Sequence, residues 1–574
     1  MWHRAASTHF TVYGEISPGA VRDLAIRLER LRGVLEHLSP AAKLDAAEPI
    51  RVFAFADAAG IAPFLPEGRA AGSVAGFLLP HELGAHAAFV FAAVDDPLGL
   101  VVEQYVHYLL HSQLPWLPDW FRTGVAELYG TFETDERESR IGLPSRANLG
   151  TLRMLADNRL SAEAIVGRRP RGLGADPAYE SSCWALAHYL LIGEGDRQDR
   201  ARDFVRRLAR GEVPGEALGA SFGQLVEDLD VKLRAYVESA SFTYYGMKLG
   251  PDAGIALDSA ALLPHEVDAA LGELLGRVAP SRRDQARALF EQALAAYPDY
   301  APAIAGRANL LELSGDLAAA ISAYERAALA DREDFLVHYR YGNALLSTLG
   351  NSRPSDEAGR LKLERARAAL SRSVELNPGF APAWARLGFA WGLESTPNPE
   401  EVEALERAAA LQPGQLDVAF NLVLAYARQG DRAGVDTGIE NVQKLGADEA
   451  RLARAREIRY QLEYRIANRL MKEQNLDDAV ALLSRITSDS TDPALRERAA
   501  AQLDLVVKVA QHNRFVVAYN AVVAALTQGD AAVGFRALER LREVAKPGIQ
   551  REIAGDLQLR LIEIEAGVAS VTSE

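Results

Sequence analysis

The chain has 574 residues, a formal charge of −15 and a pI near 5.4, with 49% hydrophobic and 25% charged residues. Those values point to several folded domains, exclude a disordered scaffold, and argue against a general nucleic-acid binder, which needs a basic face. No run approaches roughly eighteen apolar residues, so no membrane span is expected. Cys183 is the sole cysteine, which excludes internal disulfides and thiolate metal clusters.

Residues 9–15 and 50–56 alternate or run apolar with β-branched and aromatic side chains and read as strands, as do 72–79 and 86–93. Between the first two, Val21 to Leu38 carries Leu24, Ile26, Leu28, Leu31 and Val34 among Arg and Glu, which predicts a helix. The stretch 79–86 holds His81, Glu82 and His86 and imitates H-E-x-x-H with one residue too many. A five-residue offset sets two imidazoles about 140° apart on a helix, and Pro80 and Gly84 favour a turn between strands. No signal peptide precedes the first strand. The compartment is left open: periplasm or cell envelope if a signal was removed, cytoplasm otherwise.

Leu98, Val101, Val102, Tyr105, Val106, Leu109 and Leu110 then recur at three- and four-residue spacing, an amphipathic helix from about residue 97. Leu114, Pro115, Leu117 and Pro118 close it with a short turn, and a second helix runs from Trp120 to Tyr129. Further helices are expected near 146–157, 178–193, 198–210 and 222–238, with a strand at 241–245. Cys183 lies in an apolar run and reads as a buried structural thiol. His188, on the same helix, reads as a core histidine, and Arg168-Arg169-Pro170-Arg171 as a solvated loop. Gly250-Pro251-Asp252-Ala253-Gly254 reads as a linker.

The two central helices carry Glu103-Gln104-Tyr105-Val106-His107-Tyr108-Leu109-Leu110 and then L-P-x-L-P-x-W-x-x-x-G-x-A-E-x-Y from Leu114 to Tyr129. This resembles the gluzincin peptidase-like domains that bacteria fuse to tetratricopeptide repeats, where the family has H-E-Y-V-H-Y-L-L and W-L-x-E-G-L-A-E-Y-Y. The resemblance implies an α+β zincin-like domain. It places Glu103 at the first His ligand, Gln104 at the catalytic Glu, His107 at the second His and Thr123 at the ligand Glu. Three of these four positions are changed. A neutral amide at 104 takes no proton from metal-bound water, and Thr123 removes an anionic ligand. The frame is kept and the chemistry is not, so an inactive domain without a cofactor is expected.

Beyond residue 261 the pattern repeats at about 34 residues, the tetratricopeptide signature. A half-unit gives Ala286, Phe290, Ala293 and Pro298; the clearest unit gives Ala308, Leu311, Gly315, Ala320, Tyr324 and Ala327. A third runs through Tyr341, Gly342, Ala344, Ala366 and Leu370, a fourth through Trp384, Leu387, Gly388, Trp391 and Ala408, and a fifth through Leu422 and Tyr426. Weaker units hold Ala467, Leu470, Ala479 and Leu483, then Ala518, Val522 and Leu538. The expected organisation is a peptidase-like domain over 1–250, a linker at 251–261, repeats over 262–445, and degenerate repeats with a helical cap over 446–574.

The expected role is a protein-binding scaffold, an all-α solenoid taking a protein or peptide in its groove. Polar side chains on the first helix of each pair, Asn309, Asn343 and Asn421, are the candidate contacts to an extended backbone. The alternative is a metal-dependent hydrolase with altered ligands, zinc being held by His107 and His111 at one-turn spacing with Glu127 from the second helix. That shift leaves Tyr108 where the general base belongs, a poor base at neutral pH.

Overall fold

The structure, a computed structural model, describes residues 1–38, 49–67, 75–81, 84–91, 97–114, 116–135, 137–155, 158–167, 176–193, 197–223, 226–239, 241–248, 255–350, 352–394 and 396–566. The chain divides into two compact units, one of Met1–Ala425 with Lys444–Gly446, the other of Tyr426–Gln443 with Ala447–Glu574. The expected linker residues 250–254, the basic run 168–171 and Glu82 lie outside the described residues.

The first unit begins with β1 (His3–Ala6), β2 (Phe10–Gly14), α1 (Pro18–Leu38), β3 (Ile50–Phe55), the single turn α2 (Ala58–Ile61), β4 (Gly76–His81) and β5 (Gly84–Val90). They build a six-stranded sheet in the order β4-β5-β3-β2-β1-β9, where β9 is Asp258–Ala261. β2, β3 and β5 are parallel; β1, β4 and β9 run antiparallel to their neighbours. In β2 the buried residues Phe10, Val12 and Gly14 alternate with half-buried ones, the period-two pattern that marked the strand. His81 and His86 fall on the paired antiparallel strands β4 and β5, not on one helix face.

Two helices follow, α3 (Pro97–Gln113) and α4 (Asp119–Gly130), then β6 (Glu133–Thr134), β7 (Ser139–Ile141), α5 (Arg146–Leu155), α6 (Ala162–Gly167), α7 (Pro177–Leu191), α8 (Gln198–Ala209), α9 (Pro214–Phe222), α10 (Val226–Ser239) and β8 (Tyr245–Met247). α7 starts where Asp176 accepts the Tyr179 backbone N–H and Pro177 occupies the first turn. α4 lies tight on α7: a Cβ at Gly124 would fall on the Cys183 carbonyl, which is why only glycine fits there. Cys183 is fully buried, as expected of a structural thiol. His188 is fully buried too, its Nε2 against the Gly142 carbonyl at 2.9 Å and its Nδ1 against the Tyr236 hydroxyl at 2.7 Å.

The repeats begin with α11 (Pro264–Val278) and α12 (Arg283–Ala296), a full pair where the sequence pattern had shown half of one. The pairs α13 (Ala301–Leu313) and α14 (Leu317–Ala330), α15 (Phe335–Leu349) and α16 (Glu357–Leu376), and α17 (Ala381–Gly392) and α18 (Pro399–Leu411) follow, then α19 (Leu416–Gln429). The small consensus residues stand where paired helices touch: a Cβ at Gly342 would meet Leu370 at 2.7 Å, and one at Gly388 would meet Leu405 at 2.6 Å. First helices also touch along the stack, α11 on α13 and α15 on α17.

The expected linker at 251–261 is corrected in its second half. Asp258–Ala261 is β9, paired with β1 through Ala261 opposite His3. One apolar cluster joins Phe53, Phe55, Phe77 and Val90 of the sheet to Leu274 and Leu275 of α11, Phe290 of α12 and Leu310 of α13. The sheet and the opening repeats therefore share a core, and the period change near residue 262 is not a break in packing.

The second unit contains α20 (Arg432–Lys444), α21 (Glu449–Lys472), α22 (Leu476–Asp489), α23 (Pro493–Gln528), α24 (Ala531–Val544) and α25 (Ile549–Glu565). Ala467, Ala479 and Leu483 share one cluster; Val522, Leu538 and Leu561 share another. α23 runs 36 residues without a break, with no turn to divide it into a helix pair. Glu463 on α21 is fully buried and accepts from Arg485 at 3.0 Å and Arg459 at 3.3 Å, with Arg432 at 3.0 Å.

Candidate functional site

α3 and α4 set the four positions that the peptidase resemblance singles out. Gln104 faces the sheet, where its side-chain oxygen accepts the backbone N–H of Leu78 on the edge strand β4. The amide thus ties α3 to β4, which among the described residues is the edge strand of the sheet. His107 is largely buried; burial, then the charges of Arg122 and His111, push its pKa down to about 4. Arg122 pairs with Asp119 in the first turn of α4. Thr123 is buried on α4.

Glu103 points elsewhere. A Cβ at Gly130 would stand 3.2 Å from that of Glu103, and the carboxylate borders a cavity of about 320 Å³ shared with Glu127, Asn148, Glu180 and Ser181. Burial, then Glu127 and Glu180, raise the Glu103 pKa well above the ordinary carboxylate range. Burial raises Glu127 to about 6, against the hydrogen bond it accepts from Asn148 Nδ2 at 2.9 Å. Ser181 in turn donates to Asn148 Oδ1 at 3.0 Å. Three carboxylates from α3, α4 and α7 thus face one polar cavity. Glu180 was not singled out in the sequence; its signal would have been its place as the acidic residue in the first turn of α7.

The residues around these positions do not form a zinc donor set. His107 and His111 come together beside the guanidinium of Arg122, whereas Glu127 faces Asn148 and the other carboxylates. Among the described residues, no group of three His, Cys, Asp or Glu side chains is placed to hold a metal ion. The alternative set of His107, His111 and Glu127 is therefore not assembled.

The repeats present a second candidate surface. On successive first helices the small residues Gly272, Ala308, Gly342 and Gly388 hold one register, with Gly272 meeting Phe290 as Gly342 meets Leu370. Glu273, Asn309, Asn343 and Phe389 come next in each helix. Glu273 shows which way this position faces: it accepts from Arg51 of β3, lies 4.0 Å from His86 Nε2 of β5, and takes Arg340 Nη2 at 3.4 Å. Asn309 and Asn343 share that register and are half-buried. Asn421 does not; it stands at the register of Arg340 and Arg386, three residues earlier. The pairing of Arg340 with Glu273 escaped sequence reading because neither residue belongs to the repeat consensus.

Comparisons with known proteins address the repeats. A family profile described as tetratricopeptide repeat matches residues 278–347. A peroxisomal targeting signal receptor of Yarrowia lipolytica is 35% identical over 69 residues, 12% of this chain and 11% of the receptor. The chain thus spans about a tenth of that relative's length. Among solved structures, YrrB, described as a TPR protein with an unusual peptide-binding site, is 20% identical with a TM-score of 0.28, over 33% of this chain and 90% of that one. PilF of Pseudomonas aeruginosa is 17% identical with a TM-score of 0.29, over 42% and 97%. No described helix is long and apolar enough to cross a membrane. The chain carries a tetratricopeptide repeat, and its helical part is the kind of solenoid such repeats build.

Proposed function

We propose that this protein is a binding scaffold in which a gluzincin-like domain without peptidase activity is joined to a tetratricopeptide solenoid that takes a protein or peptide partner. The observation that carries the first half is Gln104. The position of the general base holds a neutral amide, and its oxygen is engaged by the Leu78 N–H. Such a group neither accepts a proton from water nor swings free to do so. The second half is supported by the register of Asn309 and Asn343, whose equivalent in the first repeat, Glu273, meets side chains of another part of the chain. Amides at that register offer both a donor and an acceptor to a peptide backbone. The peptide-binding site named for YrrB and the receptor role named for the Yarrowia protein are consistent with that use.

Two measurements test the reading. Purified protein is expected to carry well under one zinc per chain and to show no chelator-sensitive peptidase activity. Replacing Asn309, Asn343 and Asn421 together by Ala is expected to weaken partner capture while leaving the helical circular-dichroism signal unchanged. Stoichiometric zinc, with hydrolysis lost on His107→Ala, overturns the first half; unaltered capture by the triple variant overturns the second.

A further inference from the structure

We propose that a second cavity of the first unit, between the turn after α5, α7 and α10, binds a free aliphatic amino acid of alanine's size. This cavity shares no lining residue with the carboxylate cavity of α3, α4 and α7. It measures about 110 Å³, the liquid share of roughly four waters, which admits alanine and not an amino acid with a large side chain. Leu152 of α5, Leu160, and Leu233 and Val237 of α10 give it an apolar wall. Arg159 gives it a cationic one. The Arg159 Nε donates to the Leu152 carbonyl at 3.1 Å, which fixes the guanidinium against the end of α5. Its Nη1 is buried and has no hydrogen-bond acceptor among the described residues; Glu238 Oε1, on an exposed side chain, stands 4.0 Å away, beyond hydrogen-bond reach. A buried guanidinium donor left without an acceptor is costly, and a carboxylate is the acceptor that matches its fork.

Asp230 of α10 gives the cavity an anionic wall. Its Oδ1 accepts the backbone N–H of Ala162 at the start of α6, and the side chain forms no ion pair with a described residue. Arg159 and Asp230 thus line one cavity without pairing across it. A molecule that carries both charges closes that gap. Its carboxylate meets Arg159, its ammonium meets the other oxygen of Asp230, and its short side chain lies on the leucines. The Ser161 hydroxyl accepts the Ala164 N–H at 3.1 Å and keeps its own proton to donate to the carboxylate. Arg159 and Arg234, set against Asp230 and the nearby Glu238, leave the place without net charge, which favours a zwitterion over a plain acid or a plain amine.

The test is isothermal titration calorimetry of the full chain with L-alanine, and with propionate and ethylamine, each of which carries one of its two charged groups. L-Alanine is expected to bind about tenfold or more tighter than either, because each missing group forfeits a charged hydrogen bond. L-Leucine is expected to bind more weakly than L-alanine, since its side chain exceeds the cavity. Asp230→Asn keeps an acceptor for the Ala162 N–H and is expected to bring L-alanine down to the level of propionate. Arg159→Gln is expected to bring it down to the level of ethylamine; if that variant unfolds, Asp230→Asn decides. Propionate binding as tightly as L-alanine overturns the proposal, and so does L-alanine binding that survives Asp230→Asn in a folded protein. Absence of saturable L-alanine binding at millimolar concentration overturns it as well.

Discussion

Arg340 on α15 donates to Glu273 on α11 over 3.4 Å, joining residues 67 apart, and the same Glu273 receives Arg51 from the sheet. One half-buried carboxylate thus ties three elements that the sequence had divided between two domains. Removing it takes this shared anion from the buried Arg340 and the half-buried Arg51, a loss of charged hydrogen bonds that costs about 1.5–3 kcal/mol. Glu273→Gln is expected to lower the urea midpoint accordingly, with an unchanged slope. The pH sense follows from the lowered pKa. Stability from this pair is present above the unfolded carboxylate value of 4.5 and is lost as pH falls through the lower folded value. The difference between wild type and variant should therefore be full at pH 7 and shrink below pH 4; a difference that grows in acid contradicts the assignment.

The shared core makes a second prediction about truncation. A fragment ending at residue 250 loses β9 and uncovers Phe53, Phe55, Phe77 and Val90, which α11, α12 and α13 cover in the whole chain. Each uncovered large side chain forfeits about 1.5–3 kcal/mol. The fragment 1–250 is expected to be insoluble or molten, whereas 1–425, which keeps a whole compact unit, should unfold cooperatively. A soluble, cooperatively folding 1–250 would restore the boundary expected from the repeat period.

That boundary was misread for physical reasons. β9 is Asp-Ser-Ala-Ala, exposed at every position, so it has no apolar alternation and exists through backbone pairing with β1. α11 has Gly272 at the small position but little else of the repeat consensus, so only α12 was visible. By contrast α3 and α4 were legible, because a half-buried helix writes its buried face at three- and four-residue spacing. The cavity carboxylates were half legible: Glu127 stood in the motif, while Glu180 comes from a helix 53 residues further on, and no local pattern reports such a meeting.

The cavity gives a prediction of opposite pH sign. Glu103 and Glu127 have folded pKa values raised above the unfolded one, so the folded state holds protons that the unfolded state releases. Stability from them is full below about pH 4.5 and is lost as pH rises through 6, the value for Glu127. Glu127→Gln keeps an acceptor for Asn148 and removes a charge from the set. It is expected to raise the melting temperature by a few degrees at pH 8 and leave it unchanged at pH 4.5. Equal shifts at both pH values would mean that repulsion in the cavity is negligible.

Installing the residues that the peptidase resemblance implies provides the last prediction. Glu103→His, Gln104→Glu and Thr123→Glu together rebuild the family's ligand and base positions around His107, which burial keeps neutral at pH 7 and so fit to donate to a metal. The triple variant is expected to bind zinc where wild type does not, read by calorimetry and elemental analysis. Binding should be weak, because the Arg122 charge acts on His107 and opposes a divalent cation. Adding Arg122→Leu, which also frees Asp119, is expected to tighten zinc about tenfold. Hydrolysis need not return with the metal. A Glu at 104 inherits the Leu78 N–H, and a carboxylate held by that donor is a weakened base. Single restorations should do nothing measurable, since ligands and base act as a unit. If the triple variant takes up no zinc even with Arg122 removed, the two helices do not hold the gluzincin spacing, and the resemblance ends at the sequence motif.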